Sequence, residues 1–357
     1  MTLSRIVKHI LGWFGRPLQP EHSGETRARG PVAHVIILDG TMSTLQPGRE
    51  THAGQTYRML SEIGPQVSVF YEAGIQLTNM RSTLDVLMGR GINRQIRRAY
   101  GYLASRYKPG DRIYLMGYSR GAFAVRSLAG VIDMVGLLKA EHATVRNIRT
   151  AYRYYEGNPN SPNAATFASL HCHDTIQIEM VGVWDTVKAL GLCLPFLWRM
   201  SETRHDFHNH MLGPAIRNGF HALALDETRE VFEPILWDCP PGSWSGRVEQ
   251  VWFRGSHGDV GGQLGGFEAA RPLANISLIW LLENAERCGL PLPKGWQDRF
   301  ETDANAPSVG TWRGWGKIFL FRRRRRPGQT RIERLHESVD PDHCHAKSLS
   351  LSKASGA

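Results

Sequence analysis

One stretch of the chain, residues 109–130, combines a strand, a sharp turn and a helix in immediate succession. It opens with Pro-Gly-Asp, continues as an apolar run at 112–116, passes through Gly-Tyr-Ser-Arg-Gly at 117–121, and ends in small and apolar residues. A short apolar run of this kind is typical of a buried strand, and the residues after the turn favour a buried helix. The order predicts that Ser119 lies in a tight strand-to-helix turn.

Strand and helix patterns alternate along the rest of the chain. Apolar runs predict strands at 33–38, 66–71, 175–183 and 248–253, and helices are predicted at 92–107 and 272–288. This order predicts an α/β domain with one mostly parallel sheet and helices on both faces. Ligands of such sheets bind beyond the carboxyl ends of the strands. Residues 186–247, rich in Trp, Pro and His, are interpreted as a lid-like insertion over that edge.

The pattern G-x-S-x-G at Gly117, Ser119 and Gly121 predicts a nucleophile. A nucleophilic serine in such a turn has a strained backbone, and its flanking positions must be small because neighbouring elements pack closely. The amide of Arg120, at the start of the helix, would face the negative charge that develops on a substrate oxygen. The alternative is a tight turn with an incidental serine.

A serine needs a base to take its proton and a carboxylate to orient that base. Asp185 and His257 each follow a predicted strand, in the chain order Ser, Asp, His of α/β hydrolases. We therefore expect both to meet Ser119 at one sheet edge. The alternatives are a helix-capping role for Asp185 and a structural role for His257. Asp259 is a reserve acid, although its position favours bracing the histidine loop.

Asp39-Gly40-Thr41 has two interpretations. In the first, the amide of Gly40 or Thr41 completes an oxyanion hole and Asp39 braces the turn. In the second, a strand followed by Asp-Gly-Thr is similar to the first motif of haloacid-dehalogenase phosphatases. That motif needs a nucleophilic Asp two residues earlier, where Ile37 stands here. An isoleucine cannot form an acyl phosphate, so we prefer the first interpretation.

The net charge of +10 is concentrated near the two ends of the chain. Residues 321–334 hold seven Arg against one Glu, and residues 1–30 add a charge of +3. The body of the chain, 31–320, is left with about +2, so nucleic acid is not an expected partner. We interpret the run Arg322 to Arg326 as a solvated surface stretch, with attraction to phosphate head groups as the alternative.

No metal, cofactor or disulfide is expected. The five cysteines lack any C-x-x-C pair; they are Cys172, Cys193, Cys239, Cys288 and Cys344. The histidine clusters at 171–173 and 205–210 lack a second pair at zinc-site spacing and favour a polar segment. A reducing, cytoplasmic compartment is the expectation.

The N-terminal segment does not have the pattern of a signal peptide. Its apolar stripe within residues 1–17 is interrupted by charged residues, and no apolar run in the chain approaches the roughly 20 residues that cross a bilayer. Membrane contact would therefore be peripheral. The segment 1–30 has two interpretations, a short interfacial helix or a helix packed on the core.

Taken together, these motifs resemble the α/β-hydrolase domain family that includes the phospholipase effectors delivered by bacterial type VI secretion systems. The matching stretches are IILDGT (36–41), YEAGI (71–75), PGDRIYLMGYSRGAFAVRSLAG (109–130), VGVWDTVKALG (181–191), FHALALDETREVFEPILW (220–237) and VWFRGSHGDVGG (251–262). The resemblance places the catalytic domain at 31–340, between the lead-in at 1–30 and a flexible tail at 341–357.

The resemblance implies an α/β-hydrolase-like serine esterase, with Ser119, Asp185 and His257 as its triad. Lipids are the expected esters, hydrolysed as by a phospholipase A. The implied partners are an ester substrate and a secretion-system or immunity protein, with export by a specialised secretion system. The competing hypothesis is a non-enzymatic protein with the hydrolase fold that docks on anionic surfaces through Arg322 to Arg326.

Overall fold

A computed structural model describes most of the chain between residues 30 and 343. The described ranges are 30–74, 90–187, 211–239, 246–313, 316–317, 319–340 and 342–343. They belong to the unit Pro31–Ala357 apart from Gly30. The predicted lead-in before Gly30, almost all of the predicted tail, the histidine cluster at 205–210, Cys193 and Cys344 lie outside these residues.

Seven strands of the described residues form one parallel sheet, in the order β2-β1-β3-β4-β5-β6-β7. The strands are β1 Ala33–Leu38, β2 Val67–Glu72, β3 Arg112–Tyr118, β4 Ile178–Trp184, β5 Asn218–Ala224, β6 Arg247–Phe253 and β7 Glu333–Leu335. The central strands are buried along nearly their whole length, as expected for a parallel sheet covered on both sides.

Helices cover both faces of the sheet. They are α1 His52–Ser61, α2 Arg90–Ala104, α3 Arg120–Met134, α4 Val145–Glu156, α5 Pro162–His171, α6 His257–Gly261 and α7 Arg271–Arg287. Alternate residues of β1 enter different cores: Ile36 packs with α2 and α3, whereas Ile37 packs with α1 and α7. The predicted α/β fold is confirmed. Within the described ranges, no helix has both the length and the apolar character needed to span a bilayer.

The predicted insertion at 186–247 is corrected in part, because β5 lies inside it and occupies the sheet between β4 and β6. The apolar pattern of this strand is interrupted by His221, which is nevertheless fully buried. Burial, helped by the charge of Arg126, lowers the pKa of His221 to about 3, so the ring is neutral at pH 7. Residues 188–210 and 240–245 lie outside the described residues.

The sheet order brings four loops to one edge. At the carboxyl ends, Tyr118 of β3 pairs with Trp184 of β4, and Leu38 of β1 pairs with Gly117 of β3. The residues that follow β1, β3 and β4 are therefore neighbours. The loop after β6 reaches the same edge by way of the short helix α6, which starts at His257.

Candidate active site

Ser119 lies between β3 and α3 in a conformation that side chains rarely adopt. Its φ is 58° and its ψ is −121°. A residue other than glycine in such a region costs about 1–3 kcal/mol, which the surrounding structure must offset. The Ser119 amide donates to the carbonyl of Trp184 at 3.0 Å, and the Ser119 carbonyl accepts from the amide of Phe123 at 3.3 Å. These bonds hold the turn and leave the hydroxyl for other contacts.

Both flanking glycines are required by close packing. A Cβ atom on Gly121 would lie 2.1 Å from the carbonyl oxygen of Leu38, and one on Gly117 would lie 2.7 Å from that of Gly121. Neither backbone oxygen can move away as a flexible side chain could. The space available in the G-x-S-x-G turn is therefore set by β1 and by the turn itself.

The structure brings Ser119, His257 and Asp185 together. Oγ of Ser119 lies 2.8 Å from Nε2 of His257, and Nδ1 of His257 lies 2.5 Å from Oδ2 of Asp185. All three residues are buried. Hydroxyl, imidazole and carboxylate thus form one hydrogen-bonded chain at the carboxyl edge of the sheet, an arrangement able to move a proton away from a serine.

Arg325 also binds the carboxylate of Asp185. Its Nη1 donates to Oδ1 at 2.6 Å and its Nη2 donates to Oδ2 at 2.9 Å. The amide of Ala224 adds a bond to Oδ1 at 2.9 Å. Burial by itself raises the pKa of the Asp185 carboxyl, but the Arg325 charge and the His257 hydrogen bond outweigh burial and hold that pKa below its usual range. The carboxyl is therefore ionised at neutral pH.

An ionised carboxylate fixes the tautomer of His257. Because Asp185 can only accept, Nδ1 of His257 must carry the proton that it donates. Nε2 then has a lone pair directed at the hydroxyl of Ser119, which donates to it. This is the tautomer that a general base needs.

The interpretation of the arginine run as a solvated stretch is wrong for Arg325, whose side chain is 4% exposed. The neighbouring arginines Arg322 and Arg323 make contacts outside the serine site. Arg322 donates to Thr311 at 2.8 Å and Arg323 donates to exposed Glu233 at 2.7 Å. No local signal in five consecutive arginines marks the one that enters the site, so sequence reasoning missed Arg325.

Glu227 is a second residue that the sequence analysis missed. Its side chain is fully buried, and Oε2 accepts the backbone amide of His257 at 3.1 Å. Arg229 pairs with it, Nη2 donating to Oε2 at 2.6 Å and Nε donating to Oε1 at 2.8 Å. Burial raises the pKa of Glu227, and the Arg229 hydrogen bonds and charge outweigh that effect, so its pKa is lowered. Glu227 therefore fixes the start of α6 and the position of His257.

Two aromatic rings stack on the imidazole of His257. The ring of Phe232 is nearly parallel to it, with centroids 4.7 Å apart and an interplanar angle of 8°. The ring of Tyr118 has its centroid 4.9 Å away, and its hydroxyl donates to the His257 carbonyl at 3.2 Å. These contacts restrict rotation of the imidazole and keep Nε2 directed at Ser119.

Hydrogen bonding in the Asp39 loop distinguishes the two amides, of Gly40 and Thr41, that were candidates for an oxyanion hole. The amide of Gly40 donates to Oδ1 of Asp39 at 2.6 Å, so it is already occupied. The amides of Thr41 and Arg120 donate to no acceptor within the described residues. Oδ2 of Asp39 also accepts from Thr51 at 2.6 Å and from Tyr71 at 2.7 Å. Asp39 thereby braces the loop, and Thr41 is the better candidate donor.

Asp259 braces the histidine loop from α6. Its Oδ2 accepts from the amide of Ser256 at 2.7 Å and from the hydroxyl of Ser308 at 2.6 Å, and its Oδ1 accepts from the amide of Val309 at 2.8 Å. These bonds occupy both of its oxygens, whereas the imidazole of His257 is bound by Asp185. Asp259 therefore acts on the loop and not as the acid of the serine site.

Among the described residues, no cluster of three or more His, Cys, Asp or Glu side chains is arranged to hold a metal ion. His173 of the first histidine cluster packs edge-on against Tyr107, with ring centroids 5.1 Å apart.

The chain matches the model of a known family over most of its described length. The model for the catalytic domain of Tle1-like phospholipase effectors of the type VI secretion system matches residues 33–284. The match spans the strands from β1 to β6 and all the residues placed at the site except Ser308, Val309, Thr311 and the arginine run. Arg325 thus lies outside the matched range.

Individual relatives are more distant. An uncharacterized protein of Saccharomyces cerevisiae is 26% identical over an alignment of 253 residues that covers 61% of this chain and 36% of the yeast protein. The crystal structure of an uncharacterized protein from Pseudomonas aeruginosa aligns with 79% of this chain and 52% of that one, with a TM-score of 0.41 and 14% identity. The Tle1 effector bound to the VgrG spike aligns with 70% and 55%, with a TM-score of 0.32 and 18% identity. The chain covers about half the length of each of these two solved structures. It covers 36% of the length of the yeast protein.

Proposed function

Because the chain belongs to the family of Tle1-like phospholipase effectors, through their catalytic domain, we propose that it is a serine esterase that hydrolyses carboxylic esters of lipids, as a phospholipase A does. The observation that carries the proposal is the hydrogen-bonded chain from Ser119 through His257 to Asp185, with separations of 2.8 and 2.5 Å. Family membership supports lipids as the class of ester.

In the first half of the proposed reaction, Oγ of Ser119 attacks the ester carbonyl and its proton passes to Nε2 of His257. The carbonyl oxygen becomes an oxyanion, which the amides of Arg120 and Thr41 stabilise. The tetrahedral intermediate collapses when the protonated His257 gives its proton to the leaving alcohol oxygen. The alcohol departs, and the acyl group remains as an ester on Ser119.

In the second half, His257 takes a proton from water, and the resulting hydroxide attacks the acyl carbonyl. The second oxyanion accepts hydrogen bonds from the same two amides. The proton returns from His257 to Oγ of Ser119 as the acyl bond breaks, so the fatty acid leaves and the free serine is restored. Asp185 stays ionised throughout and stabilises the imidazolium that forms in each half.

A fluorophosphonate probe tests this proposal directly, because it reacts with activated serines. We expect labelling of the wild type and none of Ser119→Ala, whereas Ser105→Ala, which alters an exposed serine after α2, should label normally. Turnover of a short-chain p-nitrophenyl ester should fall by roughly 10³ to 10⁶ in Ser119→Ala with an unchanged circular dichroism spectrum. Absence of labelling in the wild type would favour a non-enzymatic hydrolase fold.

We further propose export by a type VI secretion system, with a spike protein and an immunity protein as partners. Membership of an effector family supports this, since effectors of that class are secreted. Size-exclusion chromatography of the chain mixed with the system's VgrG spike tests it. Elution as one complex would support the proposal, and separate elution of both proteins would contradict it.

A further inference from the structure

An exposed apolar surface lies beside the serine site. Two chain segments, 228–232 and 319–323, form most of it, and Trp312 lies against the second; the segments pair through the amides of Glu230 and Arg323. The first donates to the carbonyl of Phe321 at 3.2 Å and the second donates to that of Thr228 at 2.7 Å. Four of the eight exposed large apolar side chains in the described residues cluster here: Val231, Trp312, Leu320 and Phe321.

Three of these side chains have more than half of their surface in contact with solvent. Leu320 is 75% exposed, Trp312 58% and Phe321 53%. The guanidinium of Arg322 lies 3.4 Å from the ring centroid of Trp312, which joins the tryptophan to the paired segments. Large apolar side chains exposed on neighbouring chain segments mark an interaction site.

Positive charge dominates around the patch, although Glu230 lies in its first segment. Residues 311–326 contain seven Lys and Arg and no Asp or Glu. Arg324 and Arg326 are exposed, and their side chains make no hydrogen bond or ion pair with the described residues. The acidic neighbour Glu233 is paired with Arg323. Cations that surround exposed tryptophan and aliphatic side chains are complementary to a bilayer whose surface is anionic.

The patch is connected to the reacting groups by direct contacts. Phe319 packs on Phe232 with ring centroids 5.5 Å apart, and Phe232 in turn stacks on His257. Two residues beyond the second segment, Arg325 reaches the carboxylate of Asp185. A lipid surface held on the patch would therefore lie next to the imidazole, which is where an ester must arrive.

We propose that the docking surface, made of Val231, Trp312, Leu320, Phe321, Arg324 and Arg326, binds a bilayer that contains anionic phospholipids. The choice of a lipid occupant rests on the proposed esterase function. Aromatic and aliphatic side chains enter the interface while the arginines bind lipid phosphates. Docking concentrates the enzyme where its substrate is.

Vesicle co-sedimentation of the Ser119→Ala chain tests docking without hydrolysis. We compare vesicles of phosphatidylcholine alone with vesicles that also contain phosphatidylglycerol. We expect binding to the mixed vesicles to be at least tenfold tighter and to weaken with added salt. The combined Leu320→Asp and Phe321→Asp changes, and separately Arg324→Glu with Arg326→Glu, should each reduce that binding tenfold or more.

Matched controls alter similar residues elsewhere. Leu170→Asp changes a leucine that is 62% exposed at the end of α5, and Arg146→Glu changes an exposed arginine of α4. Both should bind vesicles as the parent does. Equal binding to both vesicle types, or docking variants that bind like the controls, would contradict the proposal. Failure to bind either vesicle would overturn it in favour of a protein partner.

Soluble ester turnover separates this proposal from the esterase proposal. In chains that retain Ser119, Leu320→Asp with Phe321→Asp should hydrolyse a short soluble ester at the wild-type rate and vesicle lipids at least tenfold more slowly. If the wild type neither hydrolysed the soluble ester nor reacted with the fluorophosphonate probe, the esterase function would be contradicted. Normal soluble turnover without vesicle binding would contradict docking alone.

Discussion

Arg325 and Asp185 stand 140 positions apart in the chain, yet both Nη atoms of the arginine bind the two oxygens of the carboxylate. The pair is almost fully buried. His257 uses the same carboxylate, so Asp185 has a permanent cation on one side and, on the other, the ring that becomes cationic in the proposed reaction. The arginine keeps Asp185 ionised and oriented, and it also donates to the carbonyl of Phe232, whose ring stacks on His257.

Arg325→Gln should lower kcat/KM for a soluble ester by about 10- to 100-fold, because the carboxylate loses the donors that orient it. The charge and hydrogen bonds of Arg325 also hold the pKa of Asp185 down, so their removal should raise that pKa. The acid limb of the kcat/KM profile should therefore move to higher pH in the variant. Measurement of kcat/KM between pH 5 and 9 checks both effects.

The matched control for this variant is Arg323→Gln, which removes an exposed arginine two residues away. It should retain wild-type kcat/KM and pH dependence. Arg325→Lys keeps the charge without the two-point geometry and should recover part of the activity. A variant Arg325→Gln with unaltered pH dependence would show that the arginine only packs against the site.

The stability of wild type and Arg325→Gln should differ in a pH-dependent way. The native pKa of Asp185 is depressed below the unfolded value of about 3.9, so its stabilising effect is complete above about pH 5 and is lost as pH falls through the native pKa. Wild type should therefore exceed the variant in free energy of unfolding at pH 7, and the difference should narrow below about pH 4. Urea unfolding at several pH values measures it. A difference that stays constant to pH 2 would contradict the ion-pair explanation.

Gly121→Ala should destabilise the fold by about 1–3 kcal/mol and abolish most ester turnover, because its Cβ would lie 2.1 Å from the carbonyl oxygen of Leu38. Gly30→Ala is the control, since a Cβ there meets nothing within 4 Å. Thermal unfolding and kcat/KM of both variants check the prediction. A Gly121→Ala protein with wild-type stability and turnover would mean that the turn is less tightly packed than described.

Asp39→Ala should be more harmful than Asp39→Asn. The alanine leaves two buried donors, the Gly40 amide and the Thr51 hydroxyl, and the partly buried hydroxyl of Tyr71 without their acceptor. An unsatisfied buried donor costs about 1–3 kcal/mol, so we expect a loss of roughly 3 kcal/mol or more in the free energy of unfolding. Asparagine keeps an acceptor for Gly40, and both hydroxyls can rotate. Urea unfolding and ester turnover of the two variants measure the difference, and equal losses would contradict the bracing role.

The serine turn could be predicted from sequence because its determinants are local. The apolar run of β3, the two glycines and the helix-forming residues of α3 follow one another without a gap. The sequence does not predict strand β5, because His221 breaks its apolar pattern. Burial keeps the His221 ring neutral, and the Thr186 amide donates to its Nε2 at 3.0 Å. Those contacts come from other strands and leave no local trace.

The choice between equivalent residues also required the structure. Gly40 and Thr41 are equally placed in the sequence, and only the bond from the Gly40 amide to Asp39 separates them. Likewise, no sequence feature separates Glu227 from other acidic loop residues. Only the structure shows that its carboxylate accepts the His257 amide.

The amino-acid sequence alone determined the sheet edge and the three side chains that would meet there, because each follows a strand encoded by its own apolar residues. Tertiary structure decided which charge balances Asp185. Five consecutive arginines have the same chemistry, and only the path of the chain across β5 buries Arg325 while leaving Arg324 and Arg326 in water. Burial and pairing depend on residues far apart in sequence, so no local pattern could have selected among them.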